Sequence, residues 1–235
     1  MDENYYVSRK SRLLRNLDKA VKHTKKVFVR HYGDKLTDAI VSDVRKEYEN
    51  LLPVLPYIGG KQNMMTQFLV ESTYCLGLYR VLKNLGSSVE EIGRIIYEIV
   101  ETRLDQVPRI ALPIIGKLKY GKLYLRRLKK QAAESQKRQY AGDWVFTFIE
   151  GDEREFDYGY DITECGICKF FHSQNAVEIL PFICLVDFPL SKAFGRGLVR
   201  TMTLSEGAEK CDFRYKRGRE TEEGWPPEFL RHKNL

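Results

Sequence analysis

The sequence lacks the long apolar runs that a membrane protein needs. No stretch of its 235 residues approaches the ~20 apolar residues of a membrane-spanning helix, and the apolar run at residues 179–186 is broken by Pro181. The N-terminus mixes acidic and aromatic residues and has no uninterrupted apolar segment of the kind found in a secretory signal. We therefore expect a cytoplasmic protein with no transmembrane segment.

Histidine, the commonest general base, is also scarce. The four histidines are not spaced as a catalytic triad or a metal motif. We expect all four to be ordinary surface residues, and this includes the one that lies near the cysteines of the C-terminal third: His23, His31, His172 and His232.

The first 140 residues carry apolar side chains at helical spacing. This pattern predicts helices at residues 11–32, from Asp34 into the fifties, at 63–84, from Ser88 onward, and at 117–140. Gly33 is expected to end the first helix, and Ser88 with Glu91 forms a capping-box pattern. The N-terminal part, residues 1–141, is thus expected to be helical.

At Gly142 the apolar period changes from helical to alternating. The alternation predicts two β-hairpins, at about residues 144–162 and 198–216, with helices at 165–171 and 176–194 between them. We therefore expect an α+β fold, in which the helical region packs with a unit of two β-hairpins, forming an antiparallel sheet, and two helices. This unit spans residues 142–235, with a C-terminal tail from about residue 218.

The net charge of +7 is concentrated in the last predicted helix of the N-terminal part. Residues 117–138 contain nine lysines and arginines against the single acid Glu134. Such a helix can meet nucleic acid or an anionic membrane. It has few interleaved aromatic residues and no nucleic-acid-binding fingerprint, so a solvated helix face is the simpler interpretation and nucleic acid is not an expected partner.

Four of the five cysteines lie in the last third of the chain: Cys75 precedes Cys165, Cys168, Cys184 and Cys211. An odd number of cysteines without an export signal indicates reduced thiols. The four clustered residues are compatible with a zinc site, with a Cys-x-x-Cys redox pair, or with simple burial. Zinc sites usually contain a second close pair, which is missing here, so no cofactor is expected and zinc is kept as the alternative.

Acidic and basic residues accompany these cysteines. Glu164 precedes Cys165 at a strand end, and Asp187 lies three residues after Cys184 among apolar neighbours that should raise its pKa. Asp212 is a further candidate acid. Arg200 and Arg214 are candidate ion-pair partners of Asp187 or ligands of a substrate carboxylate, because a guanidinium offers two parallel donors. Thr201 adds a hydroxyl donor.

Four ordered motifs connect these residues to a known family. They are TECGICK at residues 163–169, CLVDFP at 184–189, LVRTMTLSEG at 198–207 and CDFRY at 211–215. Together they resemble the L-2-amino-thiazoline-4-carboxylic acid hydrolase family, over roughly residues 142–216.

The resemblance implies a hydrolase of cysteine metabolism that opens a small cyclic isothiourea carboxylate, 2-aminothiazoline-4-carboxylate, to N-carbamoyl cysteine. It implies that Asp187 or Glu164 acts as base or pairs with the cationic ring nitrogens, and that Cys165, Cys184 or Cys211 acts as nucleophile or acid. Arg200 or Arg214, with Thr201, would bind the substrate. A non-catalytic ligand-binding module and a zinc-stabilised interaction module remain the alternatives, and homo-oligomerisation is compatible with each.

Overall fold

The computed structural model of the protein describes residues 5–108, 110–152, 154–227 and 230. Within these residues, the N-terminal part forms five α-helices: α1 Lys10–Leu51, α2 Thr66–Asn84, α3 Val89–Asp105, α4 Ala111–Lys119 and α5 Lys122–Ser135. None of the described helices combines the length and apolar character needed to cross a membrane.

Two of the predicted helix boundaries change in the structure. The break at Gly33 is confirmed, since this residue has non-helical angles (φ 72°, ψ 168°), but the two halves follow each other directly as α1 without a loop. The single basic helix predicted at residues 117–140 is wrong. Lys117 and Lys119 belong to α4, and Gly121, with extended backbone (ψ 144°), separates α4 from α5.

The capping box that opens α3 is confirmed. The Ser88 side chain accepts a hydrogen bond from the Glu91 amide (3.2 Å), and the Glu91 carboxylate accepts one from the Ser88 amide (2.8 Å). The isoleucine stripe of this helix is buried: Ile92, Ile95, Ile96 and Ile99. The cap therefore fixes where α3 begins, and the isoleucine stripe fixes which face of the helix is turned to the core.

The C-terminal part forms an antiparallel sheet with the strand order β1-β2-β4-β3. Its strands are β1 Val145–Glu150, β2 Tyr158–Glu164, β3 Leu198–Val199 and β4 Cys211–Tyr215. The first predicted hairpin is confirmed. The second is shorter than expected, because β3 contains two residues and the chain then forms a 3-10 turn at Leu204–Glu206.

Helices α6 Gly166–Ser173, α7 Leu180–Cys184 and α8 Asp187–Ala193 connect β2 to β3. The continuous helix predicted at residues 176–194 is wrong: a 3-10 turn, α7 and α8 succeed one another there. Pro181 and Pro189 explain the interruption, because a proline cannot donate a backbone hydrogen bond to the preceding turn.

The helical layer packs closely against this connection. Helix α3 contacts α7 and α8, while α5 contacts β1. Gly93 of α3 lies so close to α7 that a Cβ atom there would be 2.4 Å from the Phe182 ring. Buried side chains from both parts of the chain belong to one hydrophobic cluster. The α+β fold class is thus confirmed, and the division at residue 142 stays a prediction.

Candidate functional site

The sheet has one aromatic face and one polar face. Tyr158 pairs with Tyr215 and Tyr160 with Phe213 across β2 and β4, and paired residues point to the same side of a sheet. Their rings stack at centroid distances of 5.1 and 4.8 Å. We call this side the aromatic face, and the opposite side, which carries Asp161, the polar face.

Arg200 is buried next to the aromatic face. Its guanidinium carbon lies 5.1 Å from the ring centroid of Phe188 and 5.2 Å from that of Phe213. Nη1 donates to a carboxylate oxygen of Asp187 (2.7 Å), and Nη2 donates to the Cys184 carbonyl (3.0 Å). Only 4% of the Arg200 side chain is exposed, so this cation depends on Asp187 for charge compensation.

Asp187 begins α8 and faces both Arg200 and solvent. Burial raises the pKa of its carboxyl group, while Arg200 and, to a lesser degree, Arg196 act in the opposite direction. Its side chain nevertheless keeps 37% of its surface exposed, in contrast to Arg200. The Asp187 carboxylate is therefore a stronger base than that of an ordinary aspartate, and a small molecule can still reach it.

Arg196 is a second cation at the same face, and sequence reasoning did not identify it. Its guanidinium carbon lies 3.9 Å from the ring centroid of Tyr215, and Nη2 donates to the Tyr158 hydroxyl (2.8 Å). Among the described residues it forms no ion pair with a carboxylate, and its buried Nε has no hydrogen-bond partner. The available signal was its position between Gly195 and Gly197, which both have positive φ.

The tyrosines around Arg196 are neutral hydrogen-bonding groups. The hydroxyls of Tyr160 and Tyr215 are 3.0 Å apart. Burial raises the pKa of both phenols. Arg196 is thus surrounded by rings and neutral hydroxyls, and no carboxylate among the described residues pairs with it.

The three candidate catalytic thiols lie in the same region. Burial raises the pKa of Cys184 to about 12 and that of Cys211 to about 11, and in both cases the Cys165 thiol adds to the effect while Arg200 opposes it. A hydrogen bond with Cys168, followed by burial, raises the pKa of Cys165. Cys165 is therefore within electrostatic range of both Cys184 and Cys211, and burial favours the protonated form of these thiols.

The other predicted site residues lie elsewhere. Arg214 is on the polar face, where it donates to Asp161 (2.7 Å). Thr201 donates to Asp212 through its hydroxyl (2.6 Å) and its amide (2.9 Å). Arg214 and Arg200 lie on opposite faces of the sheet. Val199 pairs with Arg214 and so shares its face, and adjacent residues in a strand point to opposite faces.

Glu164 also lies outside the cluster around Arg200. Its carboxylate forms ion pairs with Arg138 and with Lys169, the latter at 2.6 Å. Arg138 in turn lines a surface pocket of about 440 Å³ between α5 and residues 58–63. Two cations thus already neutralise the Glu164 carboxylate, apart from the cluster around Arg200.

The described residues include no group of three or more His, Cys, Asp or Glu side chains that could hold a metal ion. The zinc alternative therefore finds no ligand set among them. His23 and His172 are exposed, as expected, and His31 pairs with Glu98 (3.1 Å). His232 lies outside the described residues.

Comparison with known proteins connects this geometry to a family. The family model described as L-2-amino-thiazoline-4-carboxylic acid hydrolase matches residues 78–215, which is more than half of the chain. The match begins within α2 and ends with β4, so it includes Asp187, Arg196, Arg200 and the three thiols and extends well upstream of the segment that carries the sequence motifs. No curated protein and no solved structure matches the chain. The chain belongs to the L-2-amino-thiazoline-4-carboxylic acid hydrolase family.

Proposed function

We propose that the protein is a hydrolase that opens 2-aminothiazoline-4-carboxylate, or a closely related cyclic amidine carboxylate, to an N-carbamoyl cysteine. Family membership supports this reaction class. The observation that carries it is the buried, unpaired cation of Arg196 beside the Arg200–Asp187 ion pair. The reduced state of all five cysteines fits a cytoplasmic setting.

The charges of this site complement those of the substrate. The thiazoline carries a carboxylate on C4 and, when protonated, an amidinium around C2. Arg196 binds the carboxylate, since a guanidinium without an anion partner gains most from a new one. Asp187 receives the amidinium, and Arg200 holds the Asp187 carboxylate in position through the 2.7 Å hydrogen bond.

Ring opening then requires water attack on C2. Asp187 takes one proton from the water while the water oxygen bonds to C2, which gives a tetrahedral intermediate. The C2–S bond breaks, the sulfur departs with the proton held by Asp187, and the new hydroxyl on C2 releases its proton to solvent to leave the carbamoyl C=O. One water is consumed, and no oxidant or reductant is needed.

The thiols have a supporting role in this mechanism. A nucleophilic cysteine acts as its thiolate, yet burial raises the pKa of Cys184 and Cys211 to about 12 and 11. Their protonated thiols instead line the region around Asp187 as small, weakly polar side chains. Direct attack by water therefore fits this electrostatic environment better than a covalent cysteine intermediate.

Turnover of the thiazoline by matched carboxylate variants tests this function. Asp187→Asn is expected to lower kcat by roughly 10²–10⁴-fold, the usual contribution of a general base. Asp161→Asn is the control, because Asp161 also pairs with an arginine at 2.7 Å but lies on the polar face. N-carbamoyl cysteine is quantified by chromatography.

Three results would count against this assignment. Equal turnover by wild type and Asp187→Asn would remove Asp187 from the reaction. Equal losses in both variants would indicate a general effect of breaking a carboxylate–arginine ion pair. A wild-type protein that binds the thiazoline at Arg196 without product formation would be a ligand-binding module.

A further inference from the structure

Helices α4 and α5 expose an unusual set of large aliphatic side chains. The exposed fractions are 81% for Ile110, 56% for Ile114, 67% for Leu118 and 84% for Leu123. The first three follow at four-residue spacing, from the N-cap residue Ile110 to the last turn of α4, and so share one side of this helix. Leu123 comes just after the turn at Gly121, in α5. We call these four residues the apolar stripe. Single exposed aliphatic residues are normal, but four of them within one short segment indicate an interaction surface.

The apolar stripe lies in a segment of purely positive charge. Between Asp105 and Glu134 the sequence has eight lysines and arginines and no acid. One of them, Lys129, pairs with Glu150 (2.5 Å). Five others are exposed or half-buried and form no ion pair with a described carboxylate: Lys117, Lys122, Arg126, Arg127 and Lys130. A cluster of exposed cations without carboxylate partners favours association with an anionic surface.

We propose that the α4–α5 segment docks onto an anionic lipid surface. Aliphatic side chains on the exposed side of a helix enter the boundary between headgroups and acyl chains, while flanking cations bind lipid phosphates. Lys117 and Lys122 flank Leu118 and Leu123 in the sequence, and their long side chains can reach the headgroups from there. A nucleic acid would satisfy the cations but would leave the apolar stripe in water.

The inner side of the same segment touches the candidate site. Tyr120 donates a hydrogen bond to the Arg196 carbonyl, and its ring lies 5.4 Å from that of Tyr158. Gly116 lies so close to Phe194 that a Cβ atom there would be 1.8 Å from the Phe194 carbonyl oxygen. Lipid docking of the outer side would thus act on the segment next to Arg196, although docking itself does not depend on the proposed reaction.

Vesicle sedimentation of the full-length protein tests this docking. The wild type should bind vesicles of phosphatidylcholine with phosphatidylserine and should bind pure phosphatidylcholine much more weakly. Leu118→Glu/Leu123→Glu should weaken binding at least about tenfold, because burial of one leucine contributes about 1.5–3 kcal/mol. Lys122→Gln/Arg126→Gln should weaken it roughly 30-fold, at about 1 kcal/mol per cation.

Leu36→Glu is the matched control, since Leu36 is 51% exposed on α1 and lies outside the stripe. It should bind anionic vesicles like the wild type, and circular dichroism should show the wild-type helix content in every variant. Lipid docking is overturned if the wild type ignores anionic vesicles or if Leu118→Glu/Leu123→Glu binds them equally well. Self-association that is lost in Leu118→Glu/Leu123→Glu, without vesicle binding, would also overturn it and would assign the stripe to a second copy of the chain.

Discussion

Replacement of Arg196 by methionine should separate ligand binding from stability. An arginine that forms structural ion pairs stabilises the folded protein. An arginine that is kept for an incoming anion lowers the stability of the unliganded protein, because its charge is desolvated without a partner. Arg196 has no carboxylate partner among the described residues. We therefore expect Arg196→Met to lose substrate affinity and to keep the wild-type free energy of unfolding to within about 1 kcal/mol.

The small expected change in the free energy of unfolding of Arg196→Met follows from opposing contributions. Methionine loses the hydrogen bond to Tyr158, worth about 1.5–3 kcal/mol for a charged donor, and the contact with the Tyr215 ring, worth about 0.5–2 kcal/mol. It also removes the desolvation cost of a buried cation, which is several kcal/mol. These effects nearly cancel.

Arg200→Met serves as the comparison, because the same substitution there leaves a carboxylate behind. Breaking a buried ion pair costs about 3–5 kcal/mol, and the partial exposure of Asp187 reduces this to about 2 kcal/mol. Urea unfolding followed by circular dichroism measures the stabilities of both variants. Calorimetric titration with the thiazoline carboxylate measures affinity, which Arg196→Met should lower roughly 10- to 150-fold, the equivalent of 1.5–3 kcal/mol.

Arg214→Met is the affinity control, since this arginine lies on the polar face with Asp161. It should bind the ligand like the wild type. The reasoning is refuted if Arg196→Met is destabilised by 2 kcal/mol or more, on the order of the loss in a broken ion pair, while its ligand affinity is unchanged. That result would make Arg196 a packing residue and would leave the carboxylate without its proposed partner.

Three further predictions concern the same protein. Because burial raises the pKa of Asp187, kcat should fall on acidification through a pKa above the ~3.9 of an ordinary aspartate, and an acid limb at or below that value in the pH–rate profile would contradict a desolvated base. Cys184→Ser and Cys211→Ser should each keep kcat within about tenfold of wild type, whereas the loss of a true nucleophile would cost on the order of 10³-fold or more. Ser88→Ala should lower the free energy of unfolding by about 1 kcal/mol in urea titration through loss of the α3 cap, and an unchanged midpoint would show that the cap is dispensable.

Local signals in the sequence predicted local structure well. The capping box at Ser88 and the alternation of residues 144–162 each depend on neighbours within a few positions, and both are confirmed. The helix expected at residues 176–194 failed for a local reason as well, because the hydrophobic pattern outweighed Pro181 and Pro189 in the prediction.

Which residues meet at the site depends on the pairing register of the strands, and a single sequence does not determine that register. Arg200 and Arg214 are equivalent as residue types, yet the pairing of Val199 with Arg214 places them on opposite faces of the sheet. Arg196 was missed for the same reason. Its contacts with Tyr158 and Tyr215 exist only once β2 and β4 are aligned.

The close packing at Gly93 of α3 affects the position of α7, and through it the proposed site around Asp187. Phe182 fills the space that a side chain at Gly93 would need, and it precedes Asp187 by five residues. Substitution of a larger residue at position 93 would push α7 outward and carry the Asp187 carboxylate with it. A change in helix spacing at this glycine would therefore alter the proposed site without replacing any side chain in it.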